Sequence, residues 1–378
     1  MGSNPKLRIL AVCGTRPDTV KMAPVISELK RHPDRVELVL AVTGQHREML
    51  AQVLEAFDLH PDFDLGIMTA RQTLTQITTR ALEGLDNVIS QVKPALVLAQ
   101  GDTTTTFAAS LAAFYNKTPF GHVEAGLRTD DKYDPFPEEI NRRLTSAMAD
   151  LHFAPTELAR ANLLAEGVGQ ESIFVTGNTV IDALLSIAAR EHEFEDERVA
   201  AAAGSGRIVL VTAHRRENWG QPMRDVCRAV KEIVARNPDV TVVFPVHKNP
   251  IVRETVFPEL EDAERVILIE PPDYVPFVHL MKESYIILTD SGGVQEEAPS
   301  LGKPVLVLRK TTERPEGVEA GNAKLVGTDV GVIVDQTCKL LGDRSAYDAM
   351  ARVENPYGDG HAAERIWEII RSRFADDG

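Results

Sequence analysis

The string Asp290-Ser291-Gly292-Gly293-Val294-Gln295-Glu296-Glu297 carries the most specific chemical signal in the sequence. It follows an apolar run, so it reads as a strand end, a Ser-Gly-Gly turn and a helix start. Backbone N–H groups bunched at such a turn form a nest for a phosphate. Glu297 stands one turn on, where a carboxylate can accept hydrogen bonds from both hydroxyls of a ribose. The plain alternative is a glycine turn with two solvated glutamates, which explains less of the string. Thr312-Glu313-Arg314-Pro315 follows the next apolar run and brings a cation, Arg314, to the same rim.

Two further clusters in the second half join histidine to basic residues: Thr212-Ala213-His214-Arg215-Arg216-Glu217-Asn218 and His247-Lys248-Asn249-Pro250. A single histidine is usually structural or merely exposed. Two such clusters at corresponding strand ends read as an anion-binding wall. In the first half, Gly14-Thr15-Arg16-Pro17-Asp18 leaves the first apolar run, with Lys21 about a turn later. The helix start offers N–H groups to an anion, and Arg16 and Lys21 could add charge-assisted bonds. A strand-to-helix turn with surface cations is the alternative there.

Three acids of the first half invite a different chemistry. Asp102 lies in Gly101-Asp102-Thr103-Thr104, Glu124 in His122-Val123-Glu124-Ala125-Gly126-Leu127-Arg128, and Glu138 in Pro135-Phe136-Pro137-Glu138-Glu139. Each has a bland role open to it: a helix N-cap for Asp102, a cap or a salt bridge with Arg142 for the Glu138 segment. Carboxylates crowded together raise one another's pKa and can divide acid and base duties. Spacing alone does not decide whether the three converge.

These residues need elements to hold them. Leu7–Val12, Val36–Val42, Ala95–Ala99, Thr118–Val123, Leu151–Phe153 and Ser172–Val175 read as buried strands, alternating with helical patterns such as Met22–Arg31, Arg47–Phe57, Thr73–Val92 and Thr104–Tyr115. Near-continuous apolar strands separated by helices indicate parallel sheets covered on both faces. The alternation breaks at a charged, then alanine-rich, then Gly-Ser-Gly stretch. It resumes with strands at Ile208–Thr212, Val240–Val246, Val266–Ile269, Ile286–Leu288 and Pro304–Leu308. Two doubly wound α/β domains are expected, residues 1–190 and 207–361, with a linker at about 191–206, part of which could be helical. Residues 362–376 carry an amphipathic helix pattern. In open parallel sheets the ligand sits outside the carboxyl ends of the strands, where the polar strings above fall.

Composition narrows the class. The chain has 378 residues, 43% hydrophobic and 26% charged, with a formal net charge of -15. That charge argues against binding a nucleic-acid backbone. No apolar run approaches the length of a membrane span. Cys13, Cys227 and Cys338 match no metal-ligand spacing, and the polar start resembles no secretory signal, so a reducing cytoplasm is expected. No metal and no cofactor are expected: Walker loop, H-E-x-x-H, paired C-x-x-C, G-x-S-x-G and a dinucleotide fingerprint after the first strand are all missing.

Taken together, Gly14–Pro17, His122–Thr129, Thr212–Asn218, Asp290–Ala298, Thr312–Pro315 and Asn355–Gly358 resemble the non-hydrolysing UDP-N-acetylglucosamine 2-epimerases over nearly the whole chain. The resemblance implies two Rossmann-like domains in a glycosyltransferase-B-like arrangement, a deep cleft and a C-terminal crossing helix. It also implies a cytoplasmic homodimer that interconverts UDP-GlcNAc and UDP-ManNAc for surface polysaccharides. The implied reaction removes the proton at carbon 2 and UDP at carbon 1, giving UDP and 2-acetamidoglucal, then adds UDP back after protonation on the opposite face. Asp102, Glu124 and Glu138 carry over as the acid–base set, with no face of the sugar assigned to any. His214 and Arg16 carry over to the diphosphate, and Ser291, Gly292 and Gly293 to the phosphate nest. Glu297 goes to the ribose, Phe277 to the uracil, and Lys21 and Arg314 to the rim. Gln45, Gln72, Arg215 and His247 match the positions at which some bacterial members bind a second UDP-GlcNAc as activator. Asp18 stands where the family usually has glutamate, and Pro272 where some relatives have glutamine.

Rival expectations are a glycosyltransferase of the same fold, a hydrolysing epimerase that releases ManNAc and UDP, and a catalytically silent sugar-nucleotide sensor. Fold alone does not separate them. The first-half acids favour an epimerase.

Overall fold

The computed structural model describes residues 6–44, 47–69, 71–129 and 131–374, apart from the side chains of 47–49 and 205. Two parallel sheets form among them. The first contains β1 (Leu7–Cys13), β2 (Val36–Val42), β3 (Phe63–Asp64), β4 (Leu96–Gln100), β5 (Phe120–Val123), β6 (Leu151–Ala154) and β7 (Ile173–Val175). Its order is β3-β2-β1-β4-β5-β6-β7. The second contains β8 (Arg207–Thr212), β9 (Val240–Pro245), β10 (Val266–Ile269), β11 (Ser284–Thr289), β12 (Val305–Val307) and β13 (Ala323–Leu325), in the order β10-β9-β8-β11-β12-β13. Both are doubly wound. The order reverses between β1 and β4 in one sheet and between β8 and β11 in the other, and such switch points open a crevice at the strand ends.

The strands are apolar because helices cover both faces of each sheet. In the second sheet Val209, Val211, Val242, Phe244, Ile286 and Leu288 pack with Val226, Val230, Ile233 and Ile333 from the covering helices. In the first, the helix Leu74–Val92 buries Ala81, Leu85, Val88, Ile89 and Val92, a spacing that keeps one stripe toward the sheet. Its start is a reciprocal cap: Thr73 Oγ1 accepts the Gln76 N–H at 3.2 Å and Gln76 Oε1 accepts the Thr73 N–H at 3.0 Å.

The chain forms two compact units. One holds residues up to Ala183 together with Gly358 onward, and the other runs from Leu184 to Tyr357. The division falls inside the helix Thr179–Ala188, and the stretch 191–206, read from sequence as a linker, contains the helix Glu197–Ser205. The last helix, Ala362–Phe374, belongs to the first unit, where Trp367 stacks on His32 with ring centroids 4.6 Å apart. Asp182 Oδ1 accepts the Ala363 N–H at 2.8 Å and so caps that helix.

Candidate active site

In the first unit the switch point brings together the turns after β1 and β4. Gly14 has no substitute there, since a Cβ would lie 2.3 Å from Thr105 Oγ1. The sequence reading offered the N–H groups of this turn to an anion, and the structure corrects it. Asp18 supplies the anion from within the chain: its carboxylate accepts the Gly14 N–H at 3.1 Å and the Thr15 N–H at 2.7 Å. Asp18 is buried, and burial pushes its carboxyl up to about 6 against those two hydrogen bonds. Arg16 and Lys21 follow on the helix Arg16–Lys30, both half-buried.

The turn after β4 resolves the role of Asp102. Thr103, not Asp102, caps the helix Thr104–Tyr115, its Oγ1 accepting the Thr106 N–H at 3.2 Å. The Asp102 carboxylate pairs instead with Arg142, Oδ2 to Nη2 at 2.6 Å. Asn141 Nδ2 fixes the Asp102 carbonyl at 3.0 Å. Burial pushes the Asp102 carboxyl up. Arg142 and Lys21 draw it down, while Glu124 and Glu138 push it up further. The Glu124 carboxylate lies beside Gly101, the residue before Asp102, since a Cβ there would stand 3.6 Å from its Oε2, and Glu138 shares a helix with Arg142, the partner of Asp102.

Glu124 leaves β5 with φ 63°, a left-handed conformation that costs a residue with a Cβ about 1–2 kcal/mol. Gly126 follows at φ 92°, where a Cβ would lie 2.2 Å from the Ala159 carbonyl oxygen. The bend turns the Glu124 side chain into a buried position. Its Oε1 accepts from Lys21 Nζ and, at 3.0 Å, from Asn178 Nδ2, while Oε2 accepts from Gln100 Nε2. Glu138 opens the helix Glu138–Met148, half-buried, and its carboxylate makes no hydrogen bond or ion pair with another described residue. Its neighbour Glu139 takes the structural work, accepting from Arg143 Nε at 2.7 Å and the Thr129 N–H at 3.0 Å, with Arg142 at 3.5 Å.

The second unit has its own switch-point site. Asp290 is fully buried and accepts the N–H groups of His214 and Arg215, both at 2.9 Å, and Asn218 Nδ2 at 2.9 Å. His214 Nδ1 lies 3.3 Å from Asp290 Oδ1, and its ring stacks on His247 with centroids 5.3 Å apart. Burial lowers the pKa of this imidazole, Asp290 opposes that, and His247 and Arg215 add to it. Ser291, Gly292 and Gly293 follow. A Cβ on Gly292 would stand 3.8 Å from Arg215 Nη2 and 4.0 Å from Arg314 Nη2, so two guanidiniums flank the turn. Arg314 is anchored by the buried Glu296. Glu297 is buried and accepts the Tyr274 hydroxyl at 3.0 Å. Phe277 lies on the same helix, Tyr274–Glu283, almost one turn after Tyr274.

The residues matched to an activator site are divided. Arg215 and His247 belong to the second unit's site just described. Gln72 closes its own loop, Oε1 accepting the Thr69 N–H at 2.8 Å and Nε2 donating to the Ile67 carbonyl at 2.7 Å. Gln45 lies outside the described residues. Pro272 lines a cavity of 620 Å³ in the second unit with Phe194, Phe257 and Leu268.

Sequence reasoning missed Gln100, Asn178 and Tyr274. Gln100 ends β4 and Asn178 lies three residues past β7, so the strand-end rule that found the acids covered both. Among the described residues, no helix is long and apolar enough to cross a membrane.

The sequence profile of the UDP-N-acetylglucosamine 2-epimerase family matches residues 27–371. The UDP-N-acetylglucosamine 2-epimerase of Bacillus subtilis (strain 168) is 55% identical over 365 residues, 97% of this chain and 95% of that one. The crystal structure of UDP-GlcNAc 2-epimerase from Neisseria meningitidis bound to UDP-GlcNAc is similar at a TM-score of 0.85 and 48% identity, over 97% of this chain and 100% of that one. The Methanocaldococcus jannaschii UDP-GlcNAc 2-epimerase, solved in complex with UDP-GlcNAc and UDP, is similar at 0.76 and 34%, over 97% and 99%. With two doubly wound parallel sheets and this agreement along nearly its full length, the chain belongs to the UDP-N-acetylglucosamine 2-epimerase family of isomerases.

Proposed function

We propose that the chain interconverts UDP-N-acetylglucosamine and UDP-N-acetylmannosamine by inverting carbon 2 of the sugar without hydrolysis. The observation that carries this reading is the convergence of Asp102, Glu124 and Glu138 around Lys21 and Arg142. Inverting a carbon bonded to hydrogen requires one group to take the proton and another to return it from the opposite face. A cluster of carboxylates in unlike surroundings supplies both.

In the first step a carboxylate takes the carbon 2 proton, the carbon 1–oxygen bond breaks with its electron pair going to UDP, and 2-acetamidoglucal remains. In the second, a carboxylic acid protonates carbon 2 from the other face and UDP re-adds at carbon 1. Ser291, Gly292, Gly293 and Arg314 hold phosphate oxygens, Glu297 the ribose and Phe277 the uracil. Arg16, Lys21 and His214 serve the departing diphosphate. A neighbouring diphosphate favours the imidazolium form of His214, so nucleotide binding opposes the effect of burial and draws a proton onto the ring. The first unit thus handles the proton and the second holds UDP.

A cytoplasmic homodimer supplying surface-polysaccharide precursors completes the reading. Exposed Phe114 and Tyr115, at the end of the helix Thr104–Tyr115, and Ile140 and Leu144, on the packed helix Glu138–Met148, offer apolar surface for a second copy. The test of function is NMR of UDP-GlcNAc incubated with the protein. UDP-ManNAc is the expected product. Free ManNAc with UDP, sugar transfer, or unchanged substrate would each contradict the proposal.

A further inference from the structure

Gln100 and Val123 are paired neighbours at the ends of β4 and β5, and Glu124 is the next residue. That register brings the Gln100 amide against Glu124, where Nε2 donates to Oε2. Gln100 is itself buried, and its carbonyl accepts Thr106 Oγ1 at 2.6 Å, which ties it to the helix behind. Asn178 comes from the other side. Its Oδ1 accepts the Val180 N–H at 3.1 Å, so its Nδ2 is the end left to face Glu124, and it donates to Oε1 at 3.0 Å. Lys21 Nζ completes the set on Oε1.

Both carboxylate oxygens are therefore occupied by N–H donors, two of them on neutral amides that cannot titrate. We infer that Gln100 and Asn178 are positioning residues that fix the Glu124 carboxylate in one orientation for the proton transfer at carbon 2. This inference rests on the epimerase reading above. An ordinary buried amide would be satisfied by backbone groups, as Asn178 Oδ1 is. Here two amides from different elements converge on one acid whose backbone is already bent into a left-handed conformation. Such bends persist where the surroundings over-determine them, often at functional sites.

The test compares wild type with Gln100→Met and Asn178→Asp, measuring kcat and KM for UDP-GlcNAc, UDP affinity and deuterium exchange at carbon 2. Gln100→Met keeps side-chain length and loses the donor. Asn178→Asp keeps the acceptor for the Val180 N–H and replaces the donor by a second carboxylate. Each should lower kcat about 10- to 100-fold, the range that one hydrogen bond to a charged group supports, with KM and UDP affinity little changed. The Asn178→Asp variant should also regain activity relative to wild type as pH falls, because the protonated substituent again offers a donor. Lys21, Asp102, Glu138 and Arg142, the other charged groups around Glu124, are common to both proteins and cancel in that ratio.

Unchanged kcat in both variants would overturn the inference. So would a parallel collapse of kcat, UDP affinity and thermal stability with no recovery at lower pH, which marks a merely structural role. A wild type that exchanges no deuterium overturns the epimerase reading and this inference with it, whereas exchange undiminished in the variants overturns this inference alone.

Discussion

Arg142 Nη2 lies 2.6 Å from Asp102 Oδ2, and it is the largest influence that opposes burial in setting the protonation of that carboxyl. Removing the guanidinium in Arg142→Met leaves Lys21 alone against burial, Glu124 and Glu138, which push the carboxyl up. Asp102 should then hold its proton to higher pH. The limb of the pH–rate profile that reports Asp102 moves up in the variant, and a profile superimposable on wild type would separate Asp102 from the rate-limiting chemistry.

Glu124→Gln tests the acid–base set more bluntly. The amide keeps the size of the side chain and cannot take a proton from carbon. Turnover should fall by roughly 10²–10⁴, the usual contribution of a positioned acid or base. UDP affinity, measured by calorimetry, should survive because the proposed nest lies in the second unit. Equal turnover in the two proteins would remove Glu124 from the mechanism.

Gly292→Ala tests the nest. Its Cβ meets only ordinary contacts, 3.8 Å from Arg215 and 4.0 Å from Arg314, so folding is preserved. The new methyl stands in front of the two guanidiniums, and UDP affinity should drop about tenfold, close to 1.4 kcal/mol. Binding as tight as wild type would move the phosphate site elsewhere.

Stability carries a titration signature at Asp182, whose carboxyl burial pushes up to about 6 while it caps the helix Ala362–Phe374. Its folded pKa lies above its unfolded value of 3.8, so between about pH 4 and pH 6 the folded state binds more protons than the unfolded one. The contribution of this group to stability is therefore greatest at low pH and declines as pH rises through that window. In Asp182→Asn the decline disappears, and the difference in Tm should shift toward the variant from pH 4 to pH 6. A difference that stays constant, or shifts toward wild type, contradicts the assignment.

The strand ends were legible because an apolar run that stops at Asp, Glu, Ser or Gly marks the one place where a parallel sheet meets solvent. Asp102, Glu124 and the Ser291–Gly293 turn were found that way, and the parallel doubly wound architecture followed from the same runs. The short strands β3 and β13 were not legible, since two or three residues leave no periodicity. The helix Glu197–Ser205 lies in a stretch whose alanines and glycines read as a linker, with a helical part left open. Gln100 and Asn178 looked like ordinary polar punctuation; the β4–β5 register brings the Gln100 amide to Glu124, and the Asn178 amide reaches the same carboxylate from the turn past β7. Asp18 could have been recognised: Thr15 and Asp18 have the spacing of a capping box, which commits that carboxylate to its own turn rather than to a ligand's surroundings.

The central claim is that a proton leaves carbon 2 and returns during turnover. Incubating UDP-GlcNAc with the protein in heavy water and following carbon 2 by NMR tests it most directly. The account predicts UDP-ManNAc carrying deuterium at carbon 2, with the label entering recovered UDP-GlcNAc as the reaction reverses. UDP-ManNAc that remains protiated at carbon 2 would contradict it.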